Sequence, residues 1–228
     1  PHDITGKRIE DYLPEGSGAE VLTRVQRKAR ELLSGEEVSF NGIWFWGAGV
    51  KPDLPTFQER HGISGAVISA VDLIKGLGAC TGLPPVNIEG ATGSVDTNYE
   101  GKVSAAKNHL DEDSLVFLHL EAQDEASHAG DIELKIKAIE LIDERILAPM
   151  LDFLSGEKEA RILLVTDHVT GLESRTHERG PVPFAYLGFS DFPSFPGREF
   201  TEEEAASAGL KLGSGVELIE RFLVGGEG

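Results

Sequence analysis

Acidic and histidine side chains follow two apolar runs of the sequence, at the points where buried strands would end. Asp124 and His128 stand in DEASHAGD, directly after LVFLHLEAQ. Asp167 and His168 follow RILLVT, and His177 comes shortly afterwards in SRTHERG. Carboxylates and imidazoles are good ligands for Zn, Mn or Fe. Five such groups exceed one tetrahedral site with an open position, so we expect two metal ions sharing a pocket, as in phosphoryl transfer.

Each of these groups also has an interpretation without a metal. Asp124 could start a turn, His128 could be exposed, and Asp131 could cap the helix that follows. An Asp-His pair after a strand is ordinary turn chemistry, and His177 could lie on the surface. The occurrence of all three groups at predicted strand ends favours the metal interpretation.

Lys75 is the one cation in a largely apolar stretch, DLIKG, after a predicted buried strand. It could neutralise a phosphate or assist a nucleophile, or it could be a surface lysine whose stem lies along apolar groups. The glycine-rich stretch GATGSVDTNYEGK lacks the spacing of a nucleotide-binding P-loop, which excludes that motif. Trp44 and Trp46 are predicted to be core residues.

The elements that must position these residues alternate between strands and helices. Apolar runs predict strands at 65–71, 114–122, 160–166 and 181–188, and strands that end in glycine turns at 39–49 and 85–93. Helices are predicted at 18–35, 54–62, 98–110, 131–154, 201–209 and 215–223, with a kink near Pro149, and 72–82 is predicted to be a short helix or a turn. This order indicates an α/β fold with a mostly parallel sheet and helices on both faces, which binds ligands at the carboxyl ends of its strands. A domain boundary is predicted near residues 36–40.

Composition narrows the function classes. The 228 residues carry 39 acids against 21 Lys and Arg, a net charge of −18. This charge argues against binding to nucleic acid or to an anionic membrane surface. The single cysteine excludes an internal disulfide and suits a reducing cytosol, so we expect a cytoplasmic protein. No run of 18 apolar residues occurs, and no membrane span is expected.

Several motifs together resemble a known family. Residues 40–188 are similar to the cofactor-independent phosphoglycerate mutases of the archaeal type, and especially to a branch described as a proposed homoserine kinase; both belong to the alkaline phosphatase superfamily. The motifs that carry the resemblance are VISAVDLIKGLG, EGATGSVDTNYEGK, EAQDEASHAGD, KIKAIELID, TDH and RTHERGPVPF. The resemblance implies a three-layer alkaline phosphatase-like sandwich.

The resemblance also implies roles. Asp124, His128 and His177 would bind one divalent ion (Mn, Zn, Co or Mg), and Asp167 and His168 would help to bind a second. Lys75 would lie beside the nucleophile or the phosphate. The reaction would be the glycolytic interconversion of 3- and 2-phosphoglycerate, a small phosphorylated substrate, through a phosphoserine intermediate.

The family's nucleophilic serine lies in an N-terminal segment that these 228 residues do not match. The resemblance therefore implies that residues 1–38 are the tail of an inserted substrate-side domain and that residues 39–228 are the metal-binding phosphotransferase domain. The missing N-terminal segment or a second copy in a homo-oligomer is the partner that this interpretation expects.

Two departures from the mutase pattern bear on the substrate. VTG (169–171) stands where the mutases usually have Ser-Thr-Pro, and Trp46 stands where they commonly have an arginine. Arg175 is predicted to replace part of the lost contact to an anionic substrate. Three functions stay open at this point: a phosphoglycerate mutase, a homoserine kinase-like phosphotransferase, and a truncated or non-catalytic metal-binding domain.

Overall fold

The computed structural model of the chain describes residues 4, 6–35, 39–47, 49–157, 159–188, 197 and 199–224. It divides into two compact units, Pro1–Pro52 and Asp53–Gly228. The boundary predicted near 36–40 includes residues 36–38, which lie outside the described residues, and the assignment of 1–38 to an inserted domain stays a prediction. No helix among the described residues is long and apolar enough to cross a lipid bilayer.

The described residues of the first unit include a short 3₁₀ turn, Ile9–Tyr12, and a helix, α1 (Ala19–Leu33). The strand predicted at 39–49 is wrong, because the described part of that segment forms no strand. Glycines interrupt its apolar run, and the φ of 66° at Gly47 fits the glycine turn predicted at its end. Trp46 is 60% exposed, so the prediction that it is a core residue is also wrong.

A parallel sheet forms the centre of the second unit. Its strands are β1 (Gly65–Ile68), β2 (Pro85–Val86) and β3 (Leu115–Leu118), in the order β2–β1–β3. Gly65 pairs with Leu115, and a Cβ on Gly65 would overlap the Leu115 carbonyl oxygen. Glycine is therefore required where β1 and β3 begin their pairing.

Helices cover both faces of this sheet, as predicted. They are α2 (Phe57–His61), α3 (Asp72–Cys80), α4 (Tyr99–Leu110) and α9 (Gly215–Val224). Ile68 packs into a core with Tyr99 and Val103 of α4, whereas its neighbour Val67 packs into a second core that includes Phe222 of α9. Successive strand residues point to opposite faces, so the two cores lie on opposite sides of the sheet.

The long helix predicted at 131–154 forms as three consecutive segments. They are α6 (Ile132–Ile142), a π-helical turn (Asp143–Leu147) and α7 (Ala148–Leu154). The π turn lies directly before Pro149, whose missing N–H cannot continue the regular hydrogen-bond ladder. The break predicted at Pro149 is therefore a widened turn, and Ile146, Met150 and Leu154 still face the core.

The remaining strands form antiparallel pairs. β4 (Arg161–Val165) pairs with β7 (Phe184–Gly188), and between them β5 (Val169–Thr170) pairs with β6 (His177–Glu178). Within the described residues, neither pair joins the β2–β1–β3 ladder. The α/β class is confirmed, but its parallel part comprises three strands. A short helix, α8 (Glu202–Ser207), begins at Thr201, whose hydroxyl accepts the Glu204 N–H at 3.1 Å.

Candidate metal centre

Asp124 and His128 lie on one face of a helix, α5 (Ala122–Ala129), which begins shortly after β3 ends. Residues four apart stand one above the other on a helix, and Asp124 Oδ2 is 3.2 Å from His128 Nε2. The His128 side chain is only 8% exposed. The metal-free interpretation is right about Asp131, whose carboxylate accepts the Leu134 N–H at the start of α6. It is wrong about His128, whose side chain is largely covered.

The β5–β6 hairpin brings the other histidines to α5. His168 directly precedes β5, and Thr170 in β5 is the register partner of His177 in β6. Inside the hairpin, the Gly171 N–H donates to Thr176 O at 3.2 Å and the Arg175 N–H donates to Gly171 O at 2.8 Å. Two strands of two residues each are thus sufficient to fix His177 opposite Thr170.

Four potential ligand atoms from three side chains converge between α5 and the hairpin. His128 Nε2 is 3.2 Å from both Asp124 Oδ2 and His177 Nε2. His177 Nε2 is 3.7 Å from Asp124 Oδ1. Ligand atoms held about 2.0–2.1 Å from a tetrahedral ion are separated by about 3.3 Å. The spacing of the three side chains therefore matches the ligand spacing around one small divalent ion.

His168 and Asp167 lie beside this group. The rings of His168 and His177 stack with their centroids 3.8 Å apart. Asp124, His168 and His177 each offer a ligand atom, and these atoms lie within 4.8 Å of one another. His168 Nε2 is 3.4 Å from Asp167 Oδ2, although the Asp167 side chain is largely exposed. All five residues predicted as ligands thus lie in one region; their roles as ligands stay predictions.

The protonation pattern of His128 indicates what the cluster can bind. Its Nδ1 lies 2.9 Å from Arg175 O. A carbonyl oxygen only accepts, so Nδ1 carries the proton, and the neutral form of His128 has its Nε2 lone pair facing Asp124 and His177. A lone pair that faces a carboxylate needs a proton or a metal cation between them. The donor set therefore fits a divalent metal ion, and the backbone of Arg175 acts as the outer partner that orients the imidazole.

Arg175 adopts an unusual backbone conformation where its carbonyl oxygen contacts His128. Its φ is 55°, in the left-handed region that costs a non-glycine residue free energy. Its side chain lies against Gly130, where a Cβ would come 2.6 Å from the guanidinium Nε. The predicted substrate-binding cation thus flanks the cluster, with its main chain bound to His128.

Lys75 contacts an acidic residue of its own helix. It lies on α3, and its amine is 3.4 Å from Asp72 Oδ1. In the part of the chain that the structure describes, the amine contacts none of the five predicted ligands. Its role beside the nucleophile or phosphate stays a prediction.

A group of buried polar residues near the cluster was not predicted. Lys102 on α4 is 1% exposed, and burial lowers its pKa while Glu121 opposes that shift. Burial raises the pKa of the Glu121 carboxyl, and the neighbouring acids Glu125 and Asp124 raise it further. Burial also lowers the pKa of His119. His119 Nδ1 lies 3.2 Å from the hydroxyl of Ser69, which is also buried.

The sequence contains a weak signal for these residues. Ser69 and His119 each directly follow a strand of the parallel sheet, the same position that drew attention to Asp124 and Asp167. Lys102 had no comparable signal, because a lysine on a helix is usually solvated. Thr170 had none either, since its partners come from a distant part of the chain.

The comparisons with known proteins agree with this geometry. The family model described as the Metalloenzyme superfamily matches residues 21–210. The chain belongs to the Metalloenzyme superfamily. Membership of this superfamily and the ligand cluster together support metal dependence. The resemblance predicted from the motifs is confirmed by relatives that carry the mutase name.

Two curated relatives of this Metalloenzyme chain illustrate the similarity. It is 47% identical to the 2,3-bisphosphoglycerate-independent phosphoglycerate mutase of Methanothrix thermoacetophila, over 99% of this chain and 60% of that protein. It is 42% identical to the probable 2,3-bisphosphoglycerate-independent phosphoglycerate mutase of Geobacter sulfurreducens, over 98% of this chain and 58% of that protein. The chain thus spans roughly three fifths of the length of these relatives.

A solved structure shares the fold. The PH0037 protein from Pyrococcus horikoshii superimposes with a TM-score of 0.64 at 31% sequence identity. The match covers 78% of this chain and 50% of that one. The fold of this chain is therefore shared with a protein of known structure.

Proposed function

We propose that this chain carries the metal-binding part of a phosphotransferase that interconverts 3-phosphoglycerate and 2-phosphoglycerate. The observation that carries the proposal is the convergence of Asp124, His128 and His177 at ligand spacing, with His168 stacked beside them. The names of the curated relatives support the choice of reaction. The substrate would be a small phosphorylated acid.

The donor set supports two ion sites. Asp124, His128 and His177 would hold one divalent ion, and Asp167 with His168 would hold part of a second. Oxygen and imidazole donors without thiolate suit Mn, Zn or Co, and Mg less well. Such ions, when bound, polarise phosphoryl oxygens and lower the pKa of an attacking hydroxyl.

The chain's own residues would orient these groups. The Arg175 carbonyl fixes the tautomer of His128, and the guanidinium of Arg175, at the edge of the cluster, would bind an anionic group of the substrate. Local cations are needed because the net charge of −18 repels a phosphorylated acid. Lys75 would supply a second cation if α3 approaches the substrate.

The phosphoryl-accepting serine is proposed to come from outside residues 1–228. This proposal rests on the family resemblance and on the greater length of the curated relatives. Ser69 lies beside His119, but it is 3% exposed and its hydroxyl already accepts the Val71 N–H at 3.0 Å. A buried hydroxyl with two partners is poorly placed to attack a substrate.

The test is a mutase assay on the longest protein that the gene encodes, purified with Mn²⁺. Conversion of 3-phosphoglycerate to 2-phosphoglycerate is followed by ³¹P NMR, and Asp124→Asn is expected to abolish it. Asp113→Asn is a matched control, since Asp113 also lies four residues from a histidine, His109, at 3.1 Å.

The same assay separates the second candidate function. Trp46, which stands where the mutases commonly have an arginine, favours a substrate with less anionic charge. If the protein transfers phosphate from ATP to homoserine and does not convert phosphoglycerate, the kinase-like function is supported and the mutase function is rejected. If the metal-loaded protein shows neither activity, both catalytic functions are rejected and a non-catalytic metal-binding role is left.

A further inference from the structure

Thr170 contacts residues from both of the proposed ion sites. It is 7% exposed and lies at the end of β5. Its hydroxyl is 2.5 Å from Asp124 Oδ1, in the first site, and 3.1 Å from His168 Nδ1, in the second. One side-chain oxygen therefore bridges two proposed ligands that lie far apart in the sequence.

The single proton of the hydroxyl determines the direction of both hydrogen bonds. An ionised carboxylate only accepts, so Thr170 donates to Asp124. The oxygen must then accept from His168, which places a proton on Nδ1 and leaves the lone pair on Nε2. Nε2 is the His168 atom that faces Asp167 Oδ2, at 3.4 Å. Thr170 thus selects the tautomer in which Nε2 can bind a metal.

The backbone of Thr170 holds a third ligand. Thr170 is the register partner of His177 across the β5–β6 pair. Its carbonyl accepts a hydrogen bond from Lys135 Nζ, on α6, at 3.2 Å. The position of Thr170 is therefore fixed from α6, and its side chain and backbone together orient Asp124, His168 and His177.

We propose that Thr170 is a positioning residue that couples the two ion sites through its hydroxyl. This inference rests on the proposed function, because it assigns Asp124 and His168 to different ions. The hydroxyl orients the Asp124 carboxylate for one site and fixes the His168 tautomer for the other. Removal of the hydroxyl weakens metal binding at both ion sites, whereas loss of an outer contact to a single ligand would weaken binding at one ion site.

The experiment compares Thr170→Val, which keeps the shape and removes the hydroxyl, with Thr170→Ser, which keeps the hydroxyl. Thr81→Val is the matched control, because Thr81 Oγ1 donates to carbonyls of its own helix, Leu77 O and Gly78 O. Mn²⁺ binding to the 228-residue chain is measured by calorimetry. The His168 tautomer is measured in the metal-free chain by ¹⁵N NMR, with signals assigned through His168→Gln.

We expect Thr170→Val to weaken Mn²⁺ binding about 10- to 100-fold, the usual loss for an outer-shell partner. We also expect its His168 to lose the preference for a proton on Nδ1. Thr170→Ser and Thr81→Val should match the parent chain in both readouts. If the valine variant does not fold, Thr170→Ala takes its place.

One result would overturn the inference, and it is distinguishable from failure of the proposed function. Unchanged affinity and an unchanged tautomer in Thr170→Val would reject the coupling while leaving the metal centre intact. Absence of Mn²⁺ binding in the parent chain would instead contradict the metal centre. The tautomer comparison then decides the role of Thr170 alone: a shift in the valine variant supports it, and no shift rejects it.

Discussion

His128 donates its Nδ1 proton to the carbonyl of Arg175, 2.9 Å away in a hairpin that the sequence places well beyond α5. This bond directs the Nε2 lone pair of His128 towards Asp124 and His177. The left-handed backbone of Arg175, at φ 55°, turns the carbonyl into that position. A strained residue that orients a proposed ligand is typical of a functional site.

Substitution of His128 tests its part in metal binding. His128→Ala removes one of three converging ligands, so Mn²⁺ affinity should fall at least about 100-fold, since loss of an outer partner alone costs 10- to 100-fold. Calorimetric titration measures the change. His109→Ala is the control, because His109 makes a comparable contact to Asp113 away from the cluster. Equal affinity in the two variants would contradict the assignment of His128.

Arg175 contributes through its backbone and its side chain, and two variants separate them. Arg175→Gly and Arg175→Ala both remove the guanidinium and keep the carbonyl, so both should retain Mn²⁺ affinity and bind the anionic substrate more weakly. Glycine tolerates the left-handed conformation, so Arg175→Gly should be more stable than Arg175→Ala by about 1 kcal/mol. Urea unfolding measures this difference. A glycine variant less stable than the alanine variant would refute the strain at position 175.

Gly171 permits the tight hairpin that carries His177. Its N–H donates to Thr176 O at 3.2 Å, and a Cβ there would overlap the Glu178 carboxylate. Gly171→Pro, which introduces the residue usual in the mutases, removes this donor and adds the clash. We expect lower thermal stability and weaker Mn²⁺ binding than in Gly180→Pro. Gly180 is a suitable control because a Cβ there has ordinary space, 3.8 Å from Val169.

Asp113 gives the stability a defined pH dependence. The hydrogen bond from His109, and a weaker one from Ser64, hold the pKa of this carboxyl below its usual value. Because the pKa is lower in the folded state, the ionised carboxyl stabilises the fold at pH values above the unfolded-state pKa, about 4. This stabilisation is lost as the pH falls through the folded-state pKa. Asp113→Asn should therefore be less stable than the parent chain at pH 7, and the two should converge in acid. A difference that persists unchanged at low pH would exclude this linkage.

The sequence predicted the elements whose pattern is local. The spacing of Ile132, Ile136 and Ile139 identifies α6, and the apolar runs around Val67 and Val116 identify β1 and β3. Asp124 and His128 could be placed near a strand end because β3 precedes them. Their helical geometry could not be distinguished from a turn, since α5 has only eight residues.

The features that escaped prediction depend on contacts between distant residues. β5 and β6 have two residues each, too few to show a periodic pattern. The bond from Thr170 to Asp124 and the burial of Lys102 arise only when α4, α5 and the hairpin pack together. The segment 39–47 shows the opposite error. Its aromatic residues suggest a strand, but the described residues of its unit provide no strand that pairs with it.

The most direct test of the metal centre is the position of bound Mn²⁺ in crystals of the chain, located by anomalous scattering. We expect an ion about 2.0–2.2 Å from Asp124, His128 and His177, with a second near Asp167 and His168. The neighbouring acidic group of Glu121, Asp124 and Glu125 offers an alternative site. An ion held by those acids and not by His128 and His177, or no ion beside Asp124, would contradict the centre described above.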